Sequence, residues 1–277
     1  MNALDKYLIF GLPKVHGWLD LYSTEFIALL SKIQQDAGYS GSIGEAGVHH
    51  GKLFILLLLT SGGHDKAFAI DVFEQQHLNV DQSGHGDKAV LLRNIARWAP
   101  VSPPVTLIER SSLDVRPEDI LAIGGEARII SIDGGHTEEC VLNDLHLSEG
   151  ALSAEGIVIV DDCFNESWPD VVTGVARYLL DSGARLRPFA ISPNKLYLTW
   201  PAAKELYRAR LGSLRQYKPD KRSRMFSEDI EIYGVSHADG TVARAKDLIK
   251  QSTLGPYLMA AKARLSHRYP ALAAINR

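Results

Sequence analysis

Short apolar segments alternate with helical segments from residue 42 to about residue 180, and this alternation constrains the fold more than any other feature. Such alternation is typical of a parallel sheet covered by helices on both faces. The predicted strands cover 42–46, 67–71, 104–108, 127–132 and 156–161. The predicted helices, each with an apolar stripe at helical spacing, cover 22–36, 51–61, 86–98, 116–122, 137–147 and 167–181.

The chain beyond residue 180 predicts one edge of this sheet. Arg187–Ser192 and Lys195–Thr199 are separated by Pro193-Asn194, which indicates an antiparallel hairpin. Together with the five earlier strands, this hairpin gives a mostly parallel sheet of about seven strands. A helix near 202–215, a basic loop, a short strand around 230–235 and helical segments to the end are predicted to follow it.

We expect a single α/β domain over 1–277, built around a core at 39–200. Residues 1–38 are predicted to form a helical cap or lid, and residues 201–277 a basic extension. Segment 1–20 has no clear periodicity, so it could close over a site, reach a partner subunit or pack on its own domain. The sequence is also compatible with a homo-oligomer.

Composition favours a soluble cytoplasmic protein. The longest apolar run, Leu53 to Leu59, is far shorter than the roughly 20 residues that span a bilayer, and no export leader is recognisable. Two cysteines, Cys140 and Cys163, do not suggest a disulfide framework. The net charge is −3, but residues 204–277 are basic, with 15 Lys and Arg against 7 Asp and Glu. The densest basic patch, Lys218 to Arg224, lacks interleaved aromatic residues, so nucleic acid is not an expected partner. The short apolar run argues likewise against a membrane.

A glycine-rich turn follows the first predicted strand, in the segment Gly44-Glu-Ala-Gly-Val-His-His-Gly51. Glycine permits positive φ and close approach, and a strand-to-helix turn offers unpaired N–H groups to a polar ligand. The spacing differs from the dinucleotide fingerprint G-x-G-x-x-G, because an acid, Glu45, lies inside the turn. Glu45, Gly47 and Gly51 are therefore candidate ligand-binding residues, although an ordinary packed turn is an equal alternative.

Polar residues also follow the second and third predicted strands. Ligands of open parallel sheets bind outside the carboxyl ends of the strands. Asp71 ends the second strand and is suited to accept hydrogen bonds from a ribose diol. Ser112 follows the third strand, although serines here could instead cap the next helix. The loop from Gln75 to Gly86 is polar and is either functional or a solvated connection.

The fourth and fifth predicted strands both end in acids. The fourth runs into Asp133-Gly-Gly-His136, and the fifth into Asp161-Asp162. Adjacent parallel strands should bring these carboxylates together, and a cation would relieve their repulsion. Oxygen ligands favour Mg²⁺, so Asp133, Asp161 and Asp162 are candidate metal ligands, unless one acid only caps a helix. His136 is a candidate base.

Together these motifs resemble class I methyltransferases that use S-adenosylmethionine, and more narrowly the bacterial metal-dependent O-methyltransferases of macrolide sugar and cephalosporin pathways. The resemblance covers about 42–180. It implies a Rossmann-like fold and a methionine-facing Glu45, with glycines at 47 and 51 that make room for the cofactor. It further implies adenine contacts from Ser112, Mg²⁺ held by the strand-end acids including Asp133, and His136 as base.

The predicted function is methyl transfer to a hydroxyl of a sugar or another vicinal diol, since two adjacent hydroxyls suit a chelating ion. A metal-independent methyltransferase is the first alternative. A nicotinamide-dependent oxidoreductase is a second, disfavoured by the missing G-x-G-x-x-G. A non-enzymatic binding protein on the same fold is a third.

Overall fold

The computed structural model describes residues 2–63, 65–214 and 217–234. One nine-stranded sheet organises them, in the order β3-β2-β1-β4-β5-β7-β6-β9-β8. The strands are β1 Ser42–Ala46, β2 Ala67–Asp71, β3 Val105–Glu109, β4 Ala127–Ile132, β5 Leu152–Val160, β6 Arg187–Ser192, β7 Lys195–Thr199, β8 Lys221–Met225 and β9 Glu228–Ile232. The predicted α/β architecture is confirmed, and the strand order reverses between β1 and β4.

The sheet differs from the predicted one at its far edge. Strands β1 to β5 pair in parallel, and β7 pairs antiparallel with β5 and β6, as the predicted hairpin requires. The hairpin is not the edge, however, because β9 pairs in parallel with β6 and β8 pairs antiparallel with β9. The sheet therefore has nine strands instead of seven. The predicted basic loop contains β8, whose charged residues suit an edge strand.

Helices cover both faces of the sheet, as predicted. One apolar core lies on the first face of the sheet and includes Ile43, Phe54 and Tyr197. A second core lies on the other face and includes Ile130, Leu145 and Val175. The helices are α1 Ala3–Lys6, α2 Leu21–Asp36, α3 Lys52–Leu59, α4 Lys88–Trp98, α5 Pro117–Gly124, α6 Glu138–Ala151, α7 Pro169–Leu180 and α8 Pro201–Ser213. Among the described helices, none is both long and apolar enough to cross a membrane.

The N-terminal segment packs against its own domain. A π-helical turn over Tyr7–Gly11 continues α1, and the Tyr7 ring is fully buried in the first core. The Tyr7 hydroxyl donates to the Lys52 carbonyl at 2.5 Å, and the Lys52 ammonium donates to the Gly17 carbonyl at 2.9 Å. These contacts fix the following residues beside the glycine-rich turn. The predicted C-terminal helical segments lie outside the described residues.

A buried ion pair lies at the amino ends of the strands. The Arg128 side chain is 1% exposed, and its Nε donates to Asp65 Oδ2 at 2.9 Å. Nη1 donates to the Ser31 hydroxyl and the Gln34 amide oxygen, and Nη2 donates to the Thr60 carbonyl. A buried charge is stable only when it is paired and hydrogen-bonded, and this guanidinium meets both conditions.

Candidate active site

A cavity of about 670 Å³ opens at the carboxyl ends of the parallel strands. This volume lies within the range of about 300–1,000 Å³ that is usual for small-molecule sites. Nearly all the candidate residues line it: Glu45, Gly47, Asp71, Ser112, Asp133, His136, Asp161 and Asp162. Gly51 lies behind this lining. The acids that the sequence places at separate strand ends thus converge on one volume.

The two glycines of the turn permit close packing between protein segments. Gly47 has φ +81°, and a Cβ there would lie 1.8 Å from the Asp133 carbonyl oxygen. Gly51 has φ +85°, and a Cβ there would lie 2.5 Å from Leu91 Cδ1 on α4. The space that these glycines leave is filled by the end of β4 and by α4. Both positions therefore require glycine for the fold, and the room that the glycines make is taken by protein atoms instead of a ligand.

Glu45 is a buried carboxylate that lacks a complete set of partners. Its side chain is 3% exposed, and Oε2 has no hydrogen-bond partner among the described residues. Burial raises the pKa of Glu45 well above its usual range, and the neighbouring Asp133 carboxylate raises it further. A ligand that brings a positive charge or a donor to Oε2 would relieve both effects.

Asp71 and Ser112 occupy the side of the cavity nearest β2 and β3. The Asp71 carboxylate accepts from the His49 amide at 2.7 Å and from the Phe73 amide at 2.8 Å. These bonds orient the carboxylate, and its remaining lone pairs stay available to a ligand. Ser111, not Ser112, caps the short helical turn that follows. The Ser112 side chain interacts with Asp144 on α6 and also lines the cavity.

Asp133, Asp162 and His136 form a tight cluster. The strand β5 ends at Val160, and Asp162 takes a left-handed conformation with φ +54°. His136 Nε2 lies 3.1 Å from Asp162 Oδ2 and 3.9 Å from Asp133 Oδ1. Burial raises the pKa of Asp133 well above its usual range, and the Asp161 carboxylate adds to the effect. The exposed 28% of the Asp133 side chain faces the cavity.

His136 is held on three sides. Its Nδ1 lies 2.7 Å from Asp81 Oδ2, which also accepts from the His136 amide at 2.6 Å. The Trp168 ring stacks on the imidazole at a centroid distance of 4.4 Å. Burial disfavours the imidazolium, but hydrogen bonds to Asp162 and Asp81 outweigh burial and raise the pKa of His136 to about 10. Sequence reasoning missed the role of Asp81, and its only signal was the polar loop after β2.

Lys195 is the second functional side chain that the sequence did not reveal. Its buried ammonium donates to Asp161 Oδ2, while Asp161 Oδ1 accepts from the Asp162 amide at 2.8 Å. Both Asp161 oxygens are thus engaged by protein donors. The structure places two protein cations, Lys195 and His136, among the carboxylates that the sequence assigned to a metal. The only sequence signal was that Lys195 directly follows the hairpin turn.

The donor set at the acidic end of the cavity also fits a divalent cation. One oxygen each from Asp133 and Asp162 and one ring nitrogen of His136 lie within 4.8 Å of one another. Carboxylate oxygens are the ligands that Mg²⁺ prefers, and this ion usually keeps several waters. Asp133 and Asp162 can therefore serve as its protein ligands, with Asp161 directly behind Asp162.

Comparison with known proteins identifies the class. Residues 45–163 match a family model described as a methyltransferase domain, and a sequence comparison with curated proteins gives no match. The O-methyltransferase NovP shares the fold at 18% identity and a TM-score of 0.54, over 64% of this chain and 79% of NovP. PaMTH1 of Podospora anserina, solved with S-adenosylhomocysteine, shares it at 14% identity and a TM-score of 0.51, over 72% and 88%. Residues 45–163 therefore resemble a methyltransferase domain, and the predicted resemblance to class I methyltransferases is confirmed.

Proposed function

We propose that this protein transfers a methyl group from S-adenosylmethionine to a hydroxyl oxygen of a small acceptor. The observation that carries the proposal is the single cavity in which the unsatisfied Glu45 carboxylate faces the Asp133–His136–Asp162 cluster. One side is suited to a cationic cofactor, and the other to a hydroxyl that must lose its proton. NovP is an O-methyltransferase and PaMTH1 binds S-adenosylhomocysteine, and we extend both properties to this chain.

We assign the cofactor to the side of the cavity formed by β1, β2 and β3. Glu45 would face the methionine part, Asp71 the ribose diol and Ser112 the adenine. Gly47 and Gly51 would shape the turn beneath the cofactor. The buried Glu45 carboxylate suits a ligand that carries an ammonium group and a sulfonium, because each cation lowers the cost of burying it.

The reaction we propose is an in-line displacement. The acceptor oxygen attacks the methyl carbon, the carbon–sulfur bond breaks, and its electron pair stays on sulfur, which becomes a neutral thioether. The hydroxyl proton passes to His136, whose imidazole Asp81 and Trp168 hold in place. This role requires the neutral imidazole, and Asp162 and Asp81 favour the charged one. Mg²⁺ held by Asp133 and Asp162, with Asp161 behind them, would supply the positive charge that lowers the pKa of both the hydroxyl and His136.

A metal-independent methyltransferase is the second candidate, and a specific observation favours it. Lys195 and His136 already neutralise part of the acidic cluster, so the protein itself supplies two cations there. In this version the acids only orient His136 and the acceptor. The two versions differ in whether the acceptor oxygen meets a divalent ion or protein donors alone.

The acceptor we propose is a sugar or another vicinal diol. The rim of the cavity carries Trp18, whose side chain is 73% exposed, and Trp168 lies deeper beside His136. Indole faces pack against the apolar faces of sugar rings, while carboxylates and amides such as Asn165 and Asn194 bond hydroxyl groups.

The test is calorimetric titration of the full chain with S-adenosylmethionine and S-adenosylhomocysteine, first with Mg²⁺ and then with EDTA. We expect micromolar binding of both ligands. Turnover with nucleotide sugars, glycosides and catechols, followed by release of S-adenosylhomocysteine, would then identify the acceptor. Turnover that EDTA abolishes and Mg²⁺ restores supports the metal-dependent version, and unchanged turnover supports the metal-independent one. Absence of binding under both conditions would contradict the proposed function.

A further inference from the structure

A cluster of three histidines lies beside the cavity, apart from the acidic cluster. His49 and His50 belong to the glycine-rich turn, and His16 comes from the N-terminal segment that packs next to it. One ring nitrogen from each lies within 4.8 Å of the other two. The ring centroids are 3.9 Å apart for His49 and His50, 5.3 Å for His16 and His49, and 5.6 Å for His16 and His50. We call these residues the histidine triad.

The triad is incomplete as a protein-only arrangement. His49 Nδ1 is buried and has no hydrogen-bond partner of normal geometry among the described residues. The His49 ring has only a weak interaction with the His16 backbone. His49 also has φ +49°, a left-handed conformation that is uncommon outside glycine. Three imidazoles in mutual contact repel one another when protonated. Burial and the neighbouring His50 and His16 lower the pKa of His49 to about 4, so its ring is neutral at pH 7. Neutral imidazoles offer lone pairs.

We infer that the histidine triad binds a borderline transition-metal ion, Zn²⁺ first, at a site separate from the acidic cluster. Imidazole nitrogen suits Zn²⁺, Ni²⁺ and Cu²⁺, whereas Mg²⁺ prefers oxygen. Three ligands on a tetrahedral ion, with bonds of about 2.0–2.1 Å, place their nitrogens about 3.4 Å apart. The nitrogens lie up to 4.8 Å apart, so each pair must approach by at most about 1.4 Å to reach this spacing. The stacked His49 and His50 rings must also turn until their in-plane lone pairs converge, and the exposed His16 side chain is free to move toward them.

The position of the triad defines what the ion would do. It would join the N-terminal segment to the glycine-rich turn, in addition to the hydrogen bond from Lys52 to Gly17. Three protein ligands leave the fourth tetrahedral position open, as in zinc sites that bind water or substrate. His16 and His49 both line the cavity, so this open position lies at its wall.

Co²⁺ is the probe, because its visible absorption reports tetrahedral nitrogen coordination. The untagged full-length protein is titrated with Co²⁺, and tryptophan fluorescence is recorded as a second signal. Trp18 lies 5.5 Å from His16 and 5.9 Å from His49 between ring centroids, so bound Co²⁺ should quench it. Zn²⁺ should displace Co²⁺, which abolishes the visible absorption and restores the tryptophan fluorescence. Excess Mg²⁺ should change neither the absorption nor the quenching.

Five variants locate the site. His16→Ala and His50→Ala should each weaken Co²⁺ binding by about tenfold or more, because even outer-shell partners of a metal contribute 10- to 100-fold. His77→Ala, which removes an exposed histidine outside the triad, and Asp162→Asn, which disables the acidic cluster, should leave the affinity unchanged. Trp18→Phe should lose the quenching and keep the absorption.

The inference is overturned if the wild-type protein gives no tetrahedral absorption. It is also overturned if His16→Ala and His50→Ala bind as tightly as wild type, or if Asp162→Asn abolishes binding. Circular dichroism of each variant checks its fold. His16→Ala alters only an exposed side chain, so this variant decides the question even if a change in the buried turn prevents folding. None of these outcomes depends on methyltransferase activity.

Discussion

Two buried clusters of charged side chains lie at opposite ends of the same strands, and they differ in the ratio of carboxylates to cations. At the amino ends, one guanidinium, Arg128, meets one carboxylate, Asp65, and uncharged groups satisfy its remaining donors. At the carboxyl ends, five carboxylates share two cations, His136 and Lys195. These carboxylates are Glu45, Asp81, Asp133, Asp161 and Asp162.

The difference separates a cluster built for stability from one built for a ligand. A buried pair of opposite charges whose hydrogen bonds are complete is stable without a ligand. An excess of buried carboxylates costs free energy in the ligand-free protein, and a cationic ligand recovers that free energy on binding. S-adenosylmethionine carries a sulfonium and an ammonium group, so it matches the sign of the imbalance. The balanced cluster should therefore govern folding, and the acid-rich cluster should govern binding and turnover.

The largest effect expected is on turnover, from removal of the proposed base at the centre of the acid-rich cluster. His136→Ala should lower kcat by about 10²–10⁴-fold, the usual contribution of a positioned general base. The affinity for S-adenosylhomocysteine should stay the same, because we assign that ligand to the other side of the cavity. Steady-state kinetics and calorimetry measure the two quantities. His77→Ala is the matched control, and normal turnover in His136→Ala would remove His136 from the mechanism.

Removal of the cation from the balanced cluster should instead affect folding. Arg128→Met leaves the buried Asp65 carboxylate without its cationic partner, with only the Gly62 and Gly41 amides as donors, and breaking such a pair costs about 3–5 kcal/mol of unfolding free energy. Lys32→Met is the control, because it breaks an exposed pair with Asp36 that contributes about 0.3–0.5 kcal/mol. Urea denaturation measures both. Equal losses in the two variants would contradict the structural role of Arg128.

The apolar parts of the fold could be predicted from the sequence. The bounds of β1, β2 and β4 match the predicted ones, as do both strands of the hairpin, because apolar runs bounded by turn residues mark them. Strand β8 escaped prediction, since Lys221-Arg-Ser-Arg-Met225 has the composition of a solvated loop. Strand β9 was predicted as a short strand around 230–235 but was not placed in the sheet, so the sheet was predicted two strands too narrow. A polar edge strand forms because it pairs with its neighbour, here β9, and no local sequence pattern records that pairing.

The charged networks divide in a similar way. Asp133, His136 and Asp162 could be found because each follows an apolar strand, and parallel strands bring their carboxyl ends together. The partners of these residues could not. Asp81 and Lys195 reach the cluster from a loop and a hairpin, 55 and 34 residues away from the side chains they meet. Distant pairs of this kind are set by tertiary packing, and no local sequence pattern records their proximity.

A smaller effect is expected where the acid-rich cluster faces the cofactor. Glu45→Gln should weaken the binding of S-adenosylmethionine by about tenfold or more, since hydrogen bonds to charged groups contribute about 1.5–3 kcal/mol. The ligand-free protein should become more stable, because the variant removes a buried charge next to Asp133. Calorimetry and thermal unfolding measure the two effects.

Glu109→Gln is the control for this change, because Glu109 also ends a strand but is exposed and paired with Lys88. It should alter neither quantity appreciably. Unchanged cofactor affinity in Glu45→Gln would contradict the assignment of Glu45 to the cofactor. A loss of stability in the ligand-free variant would contradict the idea that the carboxylate excess costs free energy.

A last effect, on stability alone, concerns Asp144, a buried carboxyl on α6 beneath the Asp133-Gly-Gly-His136 turn. Its Oδ2 has no hydrogen-bond partner among the described residues and would lie 3.3 Å from a Cβ at Gly134. Burial raises the pKa of Asp144 to about 6. The unfolded chain, with an ordinary pKa near 3.9, therefore ionises first as the pH rises. Ionisation of Asp144 thus destabilises the folded protein between about pH 4 and pH 6, and the penalty is constant above that range.

Asp144→Asn removes this penalty while it keeps the size of the side chain. The variant should be more stable than wild type by about 3 kcal/mol at pH 8, and the gain should shrink as the pH falls toward 4. Denaturation at several pH values measures the gain. Glu139→Gln, an exposed change on the same helix, should show no such gain. A gain that does not vary with pH would mean that packing, not charge, is responsible, and a loss of stability would mean that Asp144 is charged for a structural reason. The expected result would extend the excess of buried carboxyl groups from the cavity to the layer beneath it.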